Sequence, residues 1–186
     1  MAYVIAITGT PGTGKTTLAK RIYDYFKHEN KRVYLITQDE LIKRTNSNIG
    51  FDHERNSIIV DEDKLRKDFK KSFESELNEY EIIIIDSHIS HELKENVDLA
   101  IITKCDLEEL KKRLIKRGYH EMKIHENINA ELLNVIGNEV EDYNIKHIYY
   151  FTSNDKGLKE VFDAINNFDE LIKDIENQIK SKERNN

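Results

Sequence analysis

The segment that most constrains this chain is GTPGTGKTT at residues 9–17. It follows an apolar run at 4–8 and opens an amphipathic pattern at 15–28. Gly9-x-x-x-x-Gly14-Lys15-Thr16 has the spacing of a phosphate-cradling loop. A strand that stops at Thr8 and a helix that starts near Lys15 turn the intervening N–H groups inward, and the helix dipole adds its positive end. Gly12 and Gly14 are expected to bring the backbone against phosphates with no Cβ in the way. Lys15 then reaches the β- and γ-phosphates, Thr16 offers its hydroxyl to Mg²⁺, and Thr17 joins the ATP site. Pro11, the only proline, lies inside this loop.

Further strand-like runs at 33–37, 82–86, 99–103 and 147–152 are short, rich in Ile and Val, and mostly not alternating. Strands covered on both faces read this way. Helical patterns at 15–28, 63–77, 107–117, 124–143 and 158–180 separate them. This alternation predicts an α/β fold of three layers, α/β/α, with about five parallel strands. Two stretches break it. Residues 37–60 are polar and too long for a simple connection, and 118–123 form a short corner between two strong helices. Near the end, Val161, Ile165, Phe168, Ile172, Ile175 and Ile179 form one apolar helical stripe, expected to pack on the sheet.

A phosphate loop needs a carboxylate on a neighbouring strand to hold the metal's water shell. Asp86 ends four consecutive isoleucines, where a buried strand would deliver it beside Thr16. His88, two residues on, is expected near the reacting phosphates, and three-residue spacing to His91 does not by itself make a transition-metal pair.

The 29 basic and 35 acidic residues give a net charge of −6, which argues against broad charge-driven nucleic-acid binding. The single cysteine, Cys105, permits no internal disulfide and no four-thiolate metal site, consistent with a cytoplasmic, reducing setting. No stretch approaches ~18 apolar residues, so no membrane span is expected.

The distal half supports two readings. Thr103-Lys104-Cys105-Asp106 fits the [NT]KxD guanine-reading pattern, and 152–165 resembles the base-binding loop and final helix of small GTPases. Against this, Ile89 stands where a switch glycine belongs, and Asp106 has an ordinary alternative as the N-cap of 107–117. In the kinase reading, Arg113 and Arg117, one turn apart, edge a flap that closes over phosphates.

The motifs together favour the second reading. GTPGTGKTT, then IIIDSHISH, then RLIKRGYHEMKIHENINAE resembles the adenylate kinase isoenzyme 6 family over essentially the whole chain. These are small P-loop nucleoside-monophosphate kinases also linked to small ribosomal subunit (rRNA) maturation. The resemblance implies a single domain over 1–186, an NMP-binding insertion at about 37–60, closed by VDEDKL at 60–65, and a lid at about 116–126. Arg117 would bear on ATP, and the 152–156 loop, with Asn154, would face the adenine. The implied reaction is Mg·ATP + AMP to two ADP, with Lys15, Asp86, His88 and Arg117 as the catalytic set. A side ATPase activity and a small-subunit ribosomal protein partner are implied alongside. Lys104 stands where the family often has Arg.

Overall fold

The computed structural model describes residues 2–167. Its main sheet is five parallel strands in the order β2-β5-β1-β6-β7. These are β1 (Tyr3–Thr8), β2 (Val33–Thr37), β5 (Ile82–Asp86), β6 (Leu99–Lys104) and β7 (His147–Phe151). The isoleucine run of β5 shows why such strands do not alternate. Ile83 and Ile85 enter the core on one face with Phe69 and Phe73, whereas Ile82 and Ile84 enter the other with Leu18, Ile22 and Phe26. Both faces are dry, so every position needs an apolar residue.

Helix α1 (Lys15–His28) covers the second face together with a helix at 158–167, through Val161 and Ile165. The rest of the C-terminal apolar stripe, from Phe168 on, lies outside the described residues. The opposite face carries α3 (Glu62–Ser72), α4 (Glu74–Glu79) and a 3-10 segment at Ser90–Asn96. A third, smaller cluster of Cys105, Leu110, Leu114 and Ile124 holds α5 (Leu107–Lys116) to α6 (Glu121–Leu132).

The structure corrects three expectations of regularity. Residues 37–60 are no loop: they form α2 (Gln38–Arg44) and an antiparallel hairpin of β3 (Asn48–Asp52) with β4 (Ser57–Val60). Thr37 caps α2 by accepting the Glu40 N–H, a polar signal that reads equally well as loop. The pattern at 63–77 is two helices broken at Phe73, whose backbone (φ −121°, ψ 24°) leaves the helical region. The pattern at 124–143 is α6 and α7 (Val135–Asp142), divided at Asn134, which takes a left-handed φ of 52°. Asparagine tolerates that conformation better than other side-chain-bearing residues. The cap at Asp106, by contrast, is where the sequence places it, accepting from the N–H groups of Glu108 and Glu109, and Asp61 caps α3 by accepting from that of Lys64.

Candidate active site

Strand register assembles the site. Asp86 at the end of β5 lies beside Ile7 of β1 and Thr37 of β2, so three strands finish together. Beyond β1 the chain turns through 9–14 into α1. Ligands in open parallel sheets bind at this carboxyl edge, where neighbouring connections diverge.

The loop's glycines serve packing as well as approach. A Cβ on Gly9 would sit 2.5 Å from the Thr103 carbonyl oxygen, at a φ of +135°. One on Gly12 would sit 2.9 Å from Leu110 Cδ1, so this residue lets the loop lie flat on α5. The loop is pinned from beneath as well. The Thr13 hydroxyl is 2.6 Å from that of Thr103 and donates to the Thr10 carbonyl at 2.7 Å. Lys15 Nζ donates to the carbonyls of Gly9 (2.7 Å) and Thr10 (3.0 Å). Desolvation by the surrounding loop pushes its ammonium down to about 8, against the opposing pull of the Asp86 carboxylate.

Two cavities flank the loop. One of about 550 Å³ is lined by Gly12, Gly14, Thr17, Arg21, Arg113, Tyr150 and Thr152, among others. Its wall is braced where Arg113 donates to Thr152 Oγ1 (3.2 Å) and the Gly12 carbonyl (3.4 Å). Arg21 also donates to Tyr150 and Asp155. The second, of about 780 Å³, is lined by Lys15, Thr16, Asp86 and His88 and by Phe51, Ile58 and Val60 of the hairpin, among others. Arg117, the exposed C-cap of α5, lines both. Across the mouth of the second cavity the hairpin tip meets α6. Arg55 pairs with Glu126 at 3.1 Å, Lys123 donates to the Arg55 carbonyl at 2.7 Å, and His120 lies 2.8 Å from the Glu54 carbonyl.

His88 is held by Gln38, the first residue of α2. The amide oxygen of Gln38 accepts from Ser87 Oγ at 3.1 Å and lies 2.6 Å from His88 Nδ1. An amide oxygen only accepts, so Nδ1 carries the ring proton and Nε2 presents a lone pair. Burial, with Lys15 nearby, pushes the imidazolium down to about 4, so the ring is neutral at pH 7.

An AAA domain family model matches residues 5–134. The chain is 41% identical over 132 residues to "Putative adenylate kinase" of Methanocaldococcus jannaschii, covering 70% of this chain and 68% of that one. Over 157 residues it is 34% identical to the "Putative adenylate kinase" of Methanosarcina barkeri, covering 84% and 80%. To "Adenylate kinase isoenzyme 6 homolog FAP7" of Saccharomyces cerevisiae it is 35% identical over 141 residues, covering 75% and 67%. The chain belongs to the adenylate kinase isoenzyme 6-like family. It is a nucleotide kinase-like P-loop protein, and no helix among its described residues is long and apolar enough to cross a membrane.

For this isoenzyme 6-like chain, the structure brings Lys15, Thr16, Asp86, His88 and Arg117 to one cavity, and Gly12, Gly14, Thr17 and Arg117 to the other. Asn154 is not among the residues lining either; its carboxamide accepts from the Lys156 N–H, and Asp155 takes the cavity position instead. His88 and His91 turn apart. His91 is buried against Thr8 Oγ1 (2.8 Å) and Glu139 (3.0 Å), away from the phosphate cavities.

The guanine-like TKCD segment belongs to the framework. Lys104 pairs with buried Glu131 at 3.2 Å and donates to Asn134, while Asp106 caps α5. Glu131, which sequence reasoning passed over, also accepts from Thr10 Oγ1 (2.7 Å) and the Cys105 N–H (3.1 Å). Only its lone acidic place on the inner face of α6 hinted at this role. Gln38 gave no signal at all, because its partner His88 is 50 residues away.

Proposed function

We propose that the protein transfers the γ-phosphoryl group of ATP to a nucleoside monophosphate, AMP by preference, forming two ADP. The observation that carries this reading is the pair of cavities that both take residues of one phosphate loop and both include Arg117 in their lining. A hydrolase needs room for one nucleotide; two rooms meeting at the loop suit a donor and an acceptor. ATP would place its base between Arg21, Tyr150 and Thr152, with its phosphates over the loop amides. The acceptor would lie in the larger cavity, its base against Phe51 and Ile58 of the hairpin. Residues 37–60 are then the acceptor-binding insertion, and 116–126 the lid that meets it.

Thr16 and Asp86 line the same cavity, a hydroxyl and a carboxylate suited to a hydrated hard cation. Mg²⁺ held there would neutralise phosphate charge. The protein's own groups do the rest. The arriving γ-phosphate draws Lys15 Nζ from the Gly9 and Thr10 carbonyls. An acceptor phosphate oxygen bonds to the γ-phosphorus as the bond to the β-bridging oxygen breaks, leaving ADP on each side. The acceptor is already an anion near neutral pH, so no general base is required. Arg117, reaching both cavities, spreads positive charge over the transferring group. With Nδ1 held by Gln38 and the ring neutral, His88 offers an accepting Nε2. It can hold a water or hydroxyl proton, which would support a slow ATPase side reaction when no acceptor is bound.

Nucleotide turnover with each NTP–NMP pair tests the reading. ADP formation from ATP should rise many-fold with AMP and fall by orders of magnitude in Lys15→Ala. Turnover that is indifferent to every monophosphate would refute the kinase reading and leave an ATPase.

A further inference from the structure

We propose that His91, Glu92 and Glu139 form a binding site for one divalent transition metal, zinc by donor chemistry, behind the phosphate loop and separate from the Thr16–Asp86 pair. His91 Nε2 lies 3.0 Å from Glu139 Oε2 and 3.6 Å from Glu92 Oε1, and all three donor atoms fall within 4.8 Å of one another. Ligands bonded to zinc at ~2.0–2.1 Å in a tetrahedron stand roughly 3.3–3.4 Å apart. Two measured edges bracket that value, and Glu139, half-exposed on α7, has freedom to close the third.

The hydrogen-bond partners of His91 are compatible with ligation. Thr8 Oγ1 donates to the His88 carbonyl at 3.2 Å and lies 2.8 Å from His91 Nδ1. A hydroxyl has one proton; with it on the carbonyl, the oxygen accepts from Nδ1–H. In the tautomer with Nε2–H, the ring donates to Glu139 Oε2 at 3.0 Å; in the other, the Nε2 lone pair faces that carboxylate oxygen and a cation fits between them. A ligating histidine whose other nitrogen donates to a fixed oxygen is the usual outer contact of a metal site. Tyr143 supplies a second, donating to Glu92 Oε1 at 3.0 Å. Arg66, 3.5 Å from Glu92 Oε2, leaves the other oxygen toward His91. With Glu62 close by, three carboxylates face two cations, Arg66 and Lys94.

An imidazole with two carboxylates suits zinc or cobalt better than Mg²⁺, which prefers an all-oxygen shell. The ion would tie α7 to the 3-10 segment that follows Asp86 and His88. Through Thr8 it would also stiffen the residue that enters the loop at Gly9.

Titrating metal-stripped, nucleotide-free full-length protein with Co²⁺ tests this, read by visible absorption and calorimetry. One equivalent should bind with the spectrum of a four-coordinate ion, resist excess Mg²⁺, be displaced by Zn²⁺, and raise the melting temperature reversibly with chelator. Glu139→Gln and His91→Gln should each abolish it. Should His91→Gln fail to fold, Glu139→Gln, on the exposed side, decides. Sub-stoichiometric or Mg²⁺-displaceable binding, or full binding retained in Glu139→Gln, overturns the proposal.

Discussion

Glu131→Ala is the substitution that best separates framework from site. The side chain is 3% exposed, and its two oxygens hold Lys104, the Cys105 N–H and the Thr10 hydroxyl. Removing one member of a buried ion pair costs about 3–5 kcal/mol. Lys104 keeps the Glu131 carbonyl at 3.1 Å and Asn134 at 3.2 Å, so the low end applies to it. Thr10 and Cys105 each lose a partner for a buried donor, at about 1 kcal/mol apiece on the low side. Because the three share one cavity that water can enter, the losses are not additive, and the expected total is about 4 kcal/mol. For a domain of this size that is a fall of roughly 8–16 °C in melting temperature. Glu131→Gln, which keeps the shape and one accepting oxygen, should lose about 1–2 kcal/mol.

Urea unfolding followed by circular dichroism measures both, since the chain has no tryptophan. One of the two loop carbonyls that receive Lys15 belongs to Thr10, so the Ala variant should also show a raised KM for ATP. If Glu131→Ala stays within ~1 kcal/mol of the parent, Lys104 is not held by this carboxylate. The guanine-reading role of TKCD would then return.

Two further outcomes follow from the packing. Gly9→Ala meets the Thr103 carbonyl at 2.5 Å with a φ of +135°, so it should lose at least ~2 kcal/mol in thermal melts and with it ATP binding by calorimetry. Arg44 forks onto Glu76 at 2.6 and 2.9 Å while lying 4.0 Å over the Phe73 ring, and its hydrogen bonds hold the Glu76 carboxyl below the usual carboxylate range. A depressed folded-state value contributes stability above the unfolded value that disappears as pH falls through the folded one. Glu76→Gln should therefore cost ~1–2 kcal/mol at pH 7, and the gap in urea titrations should close on acidification below about pH 4.

What was legible in the sequence is what local chemistry dictates. The Gly9–Thr16 spacing, the isoleucine run before Asp86 and the cap Asp106 each act within a few residues, and each is where the pattern puts it. Helix continuity at 63–77 and 124–143 was misread because apolar periodicity survives a one-residue break. Phe73 still packs inward, and Asn134 turns the chain while both halves keep an apolar face. The hairpin at 48–60 was hidden for another reason. Its exposed Ile49, Phe51, Ile58 and Ile59 sit among polar residues, and a two-stranded ribbon with little core lacks the burial that makes strands readable.

That thin hairpin bears on the proposed division of labour between the cavities. On the proposed reading the donor side is walled by β7, α1 and α5, whose apolar residues sit in the core. The acceptor side depends on a ribbon joined to α6 by exposed contacts of Arg55, Lys123 and His120. Exposed pairs of this kind are individually worth little, ~0–1 kcal/mol, so they can break and re-form at small cost as a substrate enters. If the two rooms hold donor and acceptor as proposed, a rigid donor room beside a loosely latched acceptor room would give an ordered preference: the triphosphate would bind without deforming the core, while the monophosphate would open the hairpin. Weakening the latch should therefore move the KM for AMP and leave that for ATP unchanged.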